Sequence, residues 1–155
     1  MSLEDKLAIQ EVIAQYSYTF DSKDAEGCAN LFTEDAVMEF FNPGETQPHR
    51  RFESRVSIRD EYVLQQSQRR PAGRAVRHYQ TGTVFDELTA DTAQTRTMML
   101  VTLRDATEEA PHVRWSGVCH DQWRKTSEGW RFVRRTYHGD GPSYRSTARS
   151  IPSEA

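Results

Sequence analysis

The sequence predicts an α+β domain in which N-terminal helices pack against a curved, cone-shaped antiparallel sheet. Two observations carry this. Up to about Gln68 the apolar residues recur mainly at helical spacing, and from Ala75 onward the period changes to two. The four β-rich segments that follow, residues 76–88, 93–104, 113–125 and 130–138, are joined by short reversals at Thr89-Ala90-Asp91, residues 108–111 and Ser127-Glu128-Gly129, which favours an antiparallel meander. A long twisted sheet covered by helices on one face curls into a half-open cone, and its mouth is a natural pocket.

Taken in order, Ser2 followed by Asp5 resembles a capping box, so a first helix is expected from Leu3 to about Thr19. Ile9, Val12, Ile13, Tyr16 and Phe20 form one narrow stripe along it, which must be buried. Asp24 fits the N-cap of a short helix over residues 25–31, ended by Thr33-Glu34-Asp35. Residues 36–41 read as a strand. Asn42-Pro43-Gly44 is a turn, and the stretch through His49 and Arg51 reads as a polar loop. Ser57 with Asp60 announces a helix over residues 58–68, terminated by Pro71 and Gly73.

Composition narrows the function. The chain has 155 residues, 36% apolar and 28% charged, with a formal net charge of -3. This is one domain with a core, residues 1–138, followed by a Gly-, Pro-, Ser- and Arg-containing tail, residues 139–155, expected to be mobile or to lie on a neighbour. No basic excess invites nucleic acid, and no apolar run approaches membrane-spanning length. The N-terminus is too polar for a signal peptide. The two cysteines, Cys28 and Cys119, stand in no metal-type spacing. A cytoplasmic protein without a structural disulfide or a metal site is expected.

Asp21 stands where the apolar stripe of the first helix runs out, and Tyr16 lies within the stripe. An ionisable group so placed can hang over an apolar cavity as an acid or base. Asp is equally a favoured helix cap, so Asp21 or Asp24 can instead serve only to start the second helix. Trp115, Trp123, Trp130, Phe132, Met98 and Met99 are expected in the sheet core. His112 and His120 alternate to the face opposite Trp115, Gly117 and Cys119, toward solvent or a subunit interface. Arg134 and Arg135 are adjacent, so one points inward and one outward.

Three motifs, YSYTFDSKDAEGCANLFTEDA, RHYQTG and GVCHDQWRKTSEGWRFVRR, in that order and spacing, resemble the SnoaL-like group of the nuclear transport factor 2-like superfamily over about residues 3–137. The resemblance implies a cystatin-like α+β barrel and, for most members, chemistry without metal or organic cofactor. It implies that Asp21 and His78 match an Asp–His dyad found in dehydratases and a dehydrochlorinase of the group. Tyr16 matches a Tyr five residues before that Asp in one dehydratase, and Arg135, or less well Arg134, matches a late Arg. Phe20 stands where scytalone dehydratase has a Tyr, and Gly117, Cys119 and Leu103 replace other residues of its pocket, so that particular reaction is not expected.

The function expected from these residues is a cofactor-independent lyase or isomerase acting on a small hydrophobic cyclic, steroid-like or polyketide-like molecule. Asp21, His78 and Tyr16 would carry the acid–base chemistry. Arg135, Asp121, Phe20 and Cys119 are the candidates for substrate contact, with Asp121 and Cys119 sharing the alternation of Gly117. The alternative is a non-catalytic binding module or the small subunit of a ring-hydroxylating dioxygenase. A half-open sheet leaves an apolar outer face, so a homodimer or homotrimer is expected.

Overall fold

The computed structural model describes residues 2–68 and 70–141; of the tail expected over residues 139–155, Gly139 ends the last strand and all beyond Gly141 lies outside the described residues. Helix α1 (Leu3–Asp21) is started by Ser2, whose hydroxyl accepts the Asp5 N–H at 3.0 Å, and it runs two residues past the expected end at Thr19. Ile9, Val12, Ile13 and Tyr16 are buried, as the 3.6-residue stripe requires. Helix α2 (Ala25–Ala29) is capped by Asp24, which accepts the Gly27 N–H at 2.8 Å. Asp24, and not Asp21, therefore satisfies the start of this helix.

The sheet has six strands in the order β2-β1-β6-β5-β4-β3, with β1 (Phe32–Phe41), β2 (Arg50–Glu53), β3 (Ala75–Leu88), β4 (Thr92–Arg104), β5 (His112–Thr126) and β6 (Gly129–Gly139). The meander β3-β4-β5-β6 is antiparallel throughout, as expected from its short links. The sheet remains open, with β2 and β3 as its edges.

Three features depart from the sequence reading. Strand β1 pairs in parallel with β6, so the sheet is mixed. Thr33-Glu34-Asp35 does not end α2 but lies inside β1, at the register shift between Phe32 and Val37, where a bulge tolerates polar residues. The stretch read as a polar loop contains β2, because Phe52 packs on Phe40 across the β1–β2 hairpin, with ring centroids 6.4 Å apart.

Helix α3 (Arg55–Val63) starts earlier than Ser57-Asp60 implies, because Ser54 at φ 83° is its cap and accepts the Ser57 N–H at 3.3 Å. It continues into a π-helical turn (Leu64–Gln68). The core lies between α1, α3 and the inner sheet face, where Phe32, Tyr62, Trp123, Trp130 and Phe132 are buried. Met98 departs from expectation: it points to the outer face and is exposed, since it sits out of phase with buried Thr97 and Val101. Among the described residues no helix is long and apolar enough to cross a membrane.

Candidate active site

Residue 21 ends α1 and residue 78 sits near the start of β3, an edge strand whose outward amides have no sheet partner. Asp21 meets this need. One carboxylate oxygen accepts the His78 main-chain N–H at 2.9 Å, and the other lies 2.7 Å from His78 Nδ1. The Asp21 and His78 side chains are only 7% and 10% exposed. A carboxylate against Nδ1 fixes the proton there and leaves Nε2 with the lone pair. Nε2 makes no hydrogen bond to a described residue, whereas Arg70 Nη1 donates to the Asp21 main-chain carbonyl at 2.9 Å and holds the end of α1.

Aromatic rings pack around this pair. The His78 ring lies edge-on to Phe20 with centroids 4.7 Å apart, and to Tyr16 at 6.3 Å. Tyr62, one of the residues the sequence did not single out, packs on Phe20, and its hydroxyl lies 3.1 Å from the Tyr16 oxygen and 3.0 Å from Met38 Sδ. With the Tyr62 hydrogen given to Tyr16, the Tyr16 proton is free to be donated. Burial holds both phenols well above the ordinary tyrosine range, so each is neutral. Tyr62 was hidden because α3 shows no strong apolar stripe.

Beneath Tyr16 lies a buried charge pair. The alternation of β6 settles the two arginines: Arg135 is buried, and Arg134 turns outward to chelate Glu39. The Arg135 guanidinium sits 4.2 Å from the Tyr16 ring centroid and 4.7 Å from that of Phe132. It also donates to the Gln80 side-chain carbonyl, and Gln80 in turn donates to Ser17 Oγ at 2.8 Å and to the Ile13 carbonyl at 3.0 Å. Gln80 thus ties Arg135 to α1, a link with no signal in the residue pattern.

Asp121 Oδ1 is 3.5 Å from Arg135 Nε, and neither of its oxygens has a hydrogen-bond partner. Burial therefore outweighs the nearby cation and pushes the carboxyl up to about 6. Cys119 is buried against Arg135 and Met99, and burial raises its thiol as well.

Asp21, His78, Tyr16 and Phe20 thus converge, with Arg135, Asp121 and Cys119 in the layer below. The accessible space differs from the expected cone mouth. The inner face is filled by rings, and the space reaching His78 is an open groove of about 570 Å³ between α1 and the β3 edge, lined among others by Ile13, Ser17, Tyr18, Tyr79 and Gln80. Of the candidate site residues only His78 lines it; Asp21, Tyr16, Phe20, Arg135, Asp121 and Cys119 lie behind its wall. Among the described residues no group of three or more His, Cys, Asp or Glu side chains is placed to hold a metal ion.

A mixed, open sheet with helices on one face is the architecture of the nuclear transport factor 2-like class, to which its family and its structural relatives assign this protein. A SnoaL-like domain model matches residues 1–136, and the chain belongs to the SnoaL-like family. Among solved structures it is similar to Rv3472 of Mycobacterium tuberculosis, a protein of unknown function solved with an Asp-to-Asn substitution. That pair shares 29% identity with a TM-score of 0.72, covering 96% of this chain and 79% of that one. It also resembles a candidate scytalone dehydratase from Novosphingobium aromaticivorans, at 21% identity and TM-score 0.76, covering 99% of this chain and 96% of that one. The β subunit of a candidate aromatic-ring-hydroxylating dioxygenase from the same organism is similar at 18% identity and TM-score 0.75, covering 87% and 88%. These last two likenesses show the fold alone. No curated protein matches the chain.

Proposed function

We propose that the protein is a cofactor-independent lyase or isomerase that removes a proton from carbon next to a carbonyl in a small hydrophobic cyclic molecule. The observation that carries this is the 2.7 Å contact between Asp21 and His78 Nδ1, with Nε2 uncommitted. A strand edge needs only its main-chain N–H capped; the second carboxylate oxygen, spent on the ring, serves an imidazole that must change charge.

In this mechanism Nε2 takes the proton as the C–H bond breaks, and Asp21 stabilises the imidazolium that forms. The negative charge moves to the carbonyl oxygen, which accepts a hydrogen bond from the Tyr16 hydroxyl. Arg135 beneath the Tyr16 ring makes that phenol a better donor. In an isomerisation the imidazolium returns its proton to another carbon. In a dehydration it protonates the departing hydroxyl, which leaves as water. Ile13, Tyr18 and Tyr79, which line the groove beside His78, suit an apolar substrate body.

The test needs no knowledge of the natural substrate. Purified protein incubated in D2O with cyclic ketones such as 2-tetralone should accelerate exchange of the hydrogens next to the carbonyl, followed by proton NMR. His78→Ala should abolish the acceleration. Ketones that bind, shown by a thermal shift, but exchange at the uncatalysed rate would instead support the binding-module alternative.

A further inference from the structure

We infer that Gln66 and Arg70 form a docking point for a substrate carboxylate at the end of the Asp21–His78 site. This rests on the site assignment above and adds the chemical class of the substrate, an apolar cyclic carboxylate.

Seven buried side-chain polar atoms among the described residues lack a hydrogen-bond partner, and three of them fall in this one short stretch: both amide atoms of Gln66 and Nη2 of Arg70. Gln66 is 3% exposed and Arg70 is 8% exposed. A buried donor or acceptor left without a partner loses its hydration with nothing in return, so such atoms persist where a ligand completes them.

Their place in the fold points to the same site. Ile58, Tyr62 and Gln66 follow one another at steps of four residues and are all buried, so Gln66 continues the inward face of α3. The preceding member, Tyr62, packs on Phe20 with centroids 5.3 Å apart, and Phe20 packs on His78. Gln66 itself lies in the π-helical turn after α3, a geometry that recurs at functional sites. Arg70 commits Nη1 to the Asp21 carbonyl, which places its unpartnered Nη2 beside the end of α1.

Charge selects the ligand. Asp21, Arg77 and Arg74 all act on the Arg70 charge, and Arg74 is paired with Asp105, so with Arg70 itself three cations meet two carboxylates and the excess favours an anion. One guanidinium N–H from Arg70 and one amide N–H from Gln66 supply two donors for the two oxygens of a carboxylate, and a charge-assisted bond is the stronger of them. A substrate held there by its carboxylate would extend its apolar body toward Phe20 and His78.

The test uses 2-naphthoate and its neutral analogue 2-naphthamide, titrated by calorimetry into the full chain. The wild type should bind 2-naphthoate on the order of tenfold more tightly than the amide. Arg70→Met should erase that preference, while His78→Ala should keep it. A wild type without the preference, or one that binds neither probe at millimolar concentration, overturns the inference, as does Arg70→Met with the preference intact. Should Arg70→Met lower the melting temperature through its lost bond to Asp21, Gln66→Leu decides, since Gln66 has no protein hydrogen bond to lose. It should weaken 2-naphthoate several-fold, and an unchanged affinity overturns the inference. Absence of ketone exchange alongside a retained naphthoate preference would count against the dyad's catalysis and leave the docking point standing.

Discussion

Asp21 holds His78 at two points, accepting the main-chain N–H at 2.9 Å and facing ring Nδ1 at 2.7 Å. The first contact caps an amide of the open sheet edge, and the second sets the tautomer of the imidazole. Because one carboxylate does both, its neutral isostere separates the roles. Asp21→Asn can still accept the main-chain N–H through its carbonyl, so the melting temperature should change little. It cannot stabilise an imidazolium, and the catalysed exchange of 2-tetralone should fall by up to roughly 10⁴-fold, the loss seen when the orienting Asp of a serine-protease triad is so changed. An unchanged exchange rate, or a collapse of stability in parallel with activity, would make the pair structural.

The two phenols should separate in magnitude. Tyr16→Phe removes the donor to the developing oxyanion and should slow exchange about 10²–10³-fold. Tyr62→Phe removes a hydroxyl that contacts Tyr16 at 3.1 Å and Met38 Sδ at 3.0 Å, neutral contacts acting at one remove from the substrate, and should cost on the order of tenfold. Equal losses in both variants would mean that Tyr16 is not the donor.

Much of this arrangement was legible in the sequence, and the gaps have physical causes. The α1 stripe and the period-two strands gave the layers because burial on one face imposes those periods directly. Asp21 and His78 were visible through the family motifs, whereas no local pattern shows that residues 57 positions apart share a hydrogen bond. Pairing direction was invisible, since β1 reads the same whether it joins β6 in parallel or antiparallel. β2 was missed because Phe52 is its single apolar residue. Gln66, which is buried, and Gln80, which is half-buried, were missed because a side-chain amide carries no periodic signal and is defined only by what surrounds it.

The outer sheet face carries a prediction about assembly. Tyr79 and Leu100 are cross-strand neighbours, as are Thr81 and Met98, and Tyr79, Met98 and Leu100 are all exposed on this face. Contiguous exposed apolar groups of this kind mark an interface. We expect a homodimer or homotrimer by light scattering at micromolar concentration, and Met98→Arg with Leu100→Arg should yield a folded monomer. A monomeric wild type would refute this.

The buried pair beneath Tyr16 should reveal itself through pH. Asp121 has its carboxyl raised from 3.8 to about 6 because burial penalises the anion more than Arg135, at 3.5 Å, compensates it. The folded protein therefore binds the Asp121 proton more tightly than the unfolded chain does. The stability this contributes is fully present below about pH 4 and is lost as pH rises through 6, by about 3 kcal/mol at most. Asp121→Asn has no such titration, so the wild type should lose ground against it between pH 4 and pH 7 in urea unfolding. Arg135→Met at pH 7 leaves the carboxylate buried and unpaired and should destabilise by about 3–5 kcal/mol. Adding Asp121→Asn to Arg135→Met should recover much of that loss, because the stranded charge is gone. A stability gap that stays flat with pH, or a double variant no better than Arg135→Met alone, would show that Asp121 and Arg135 are not coupled in the fold.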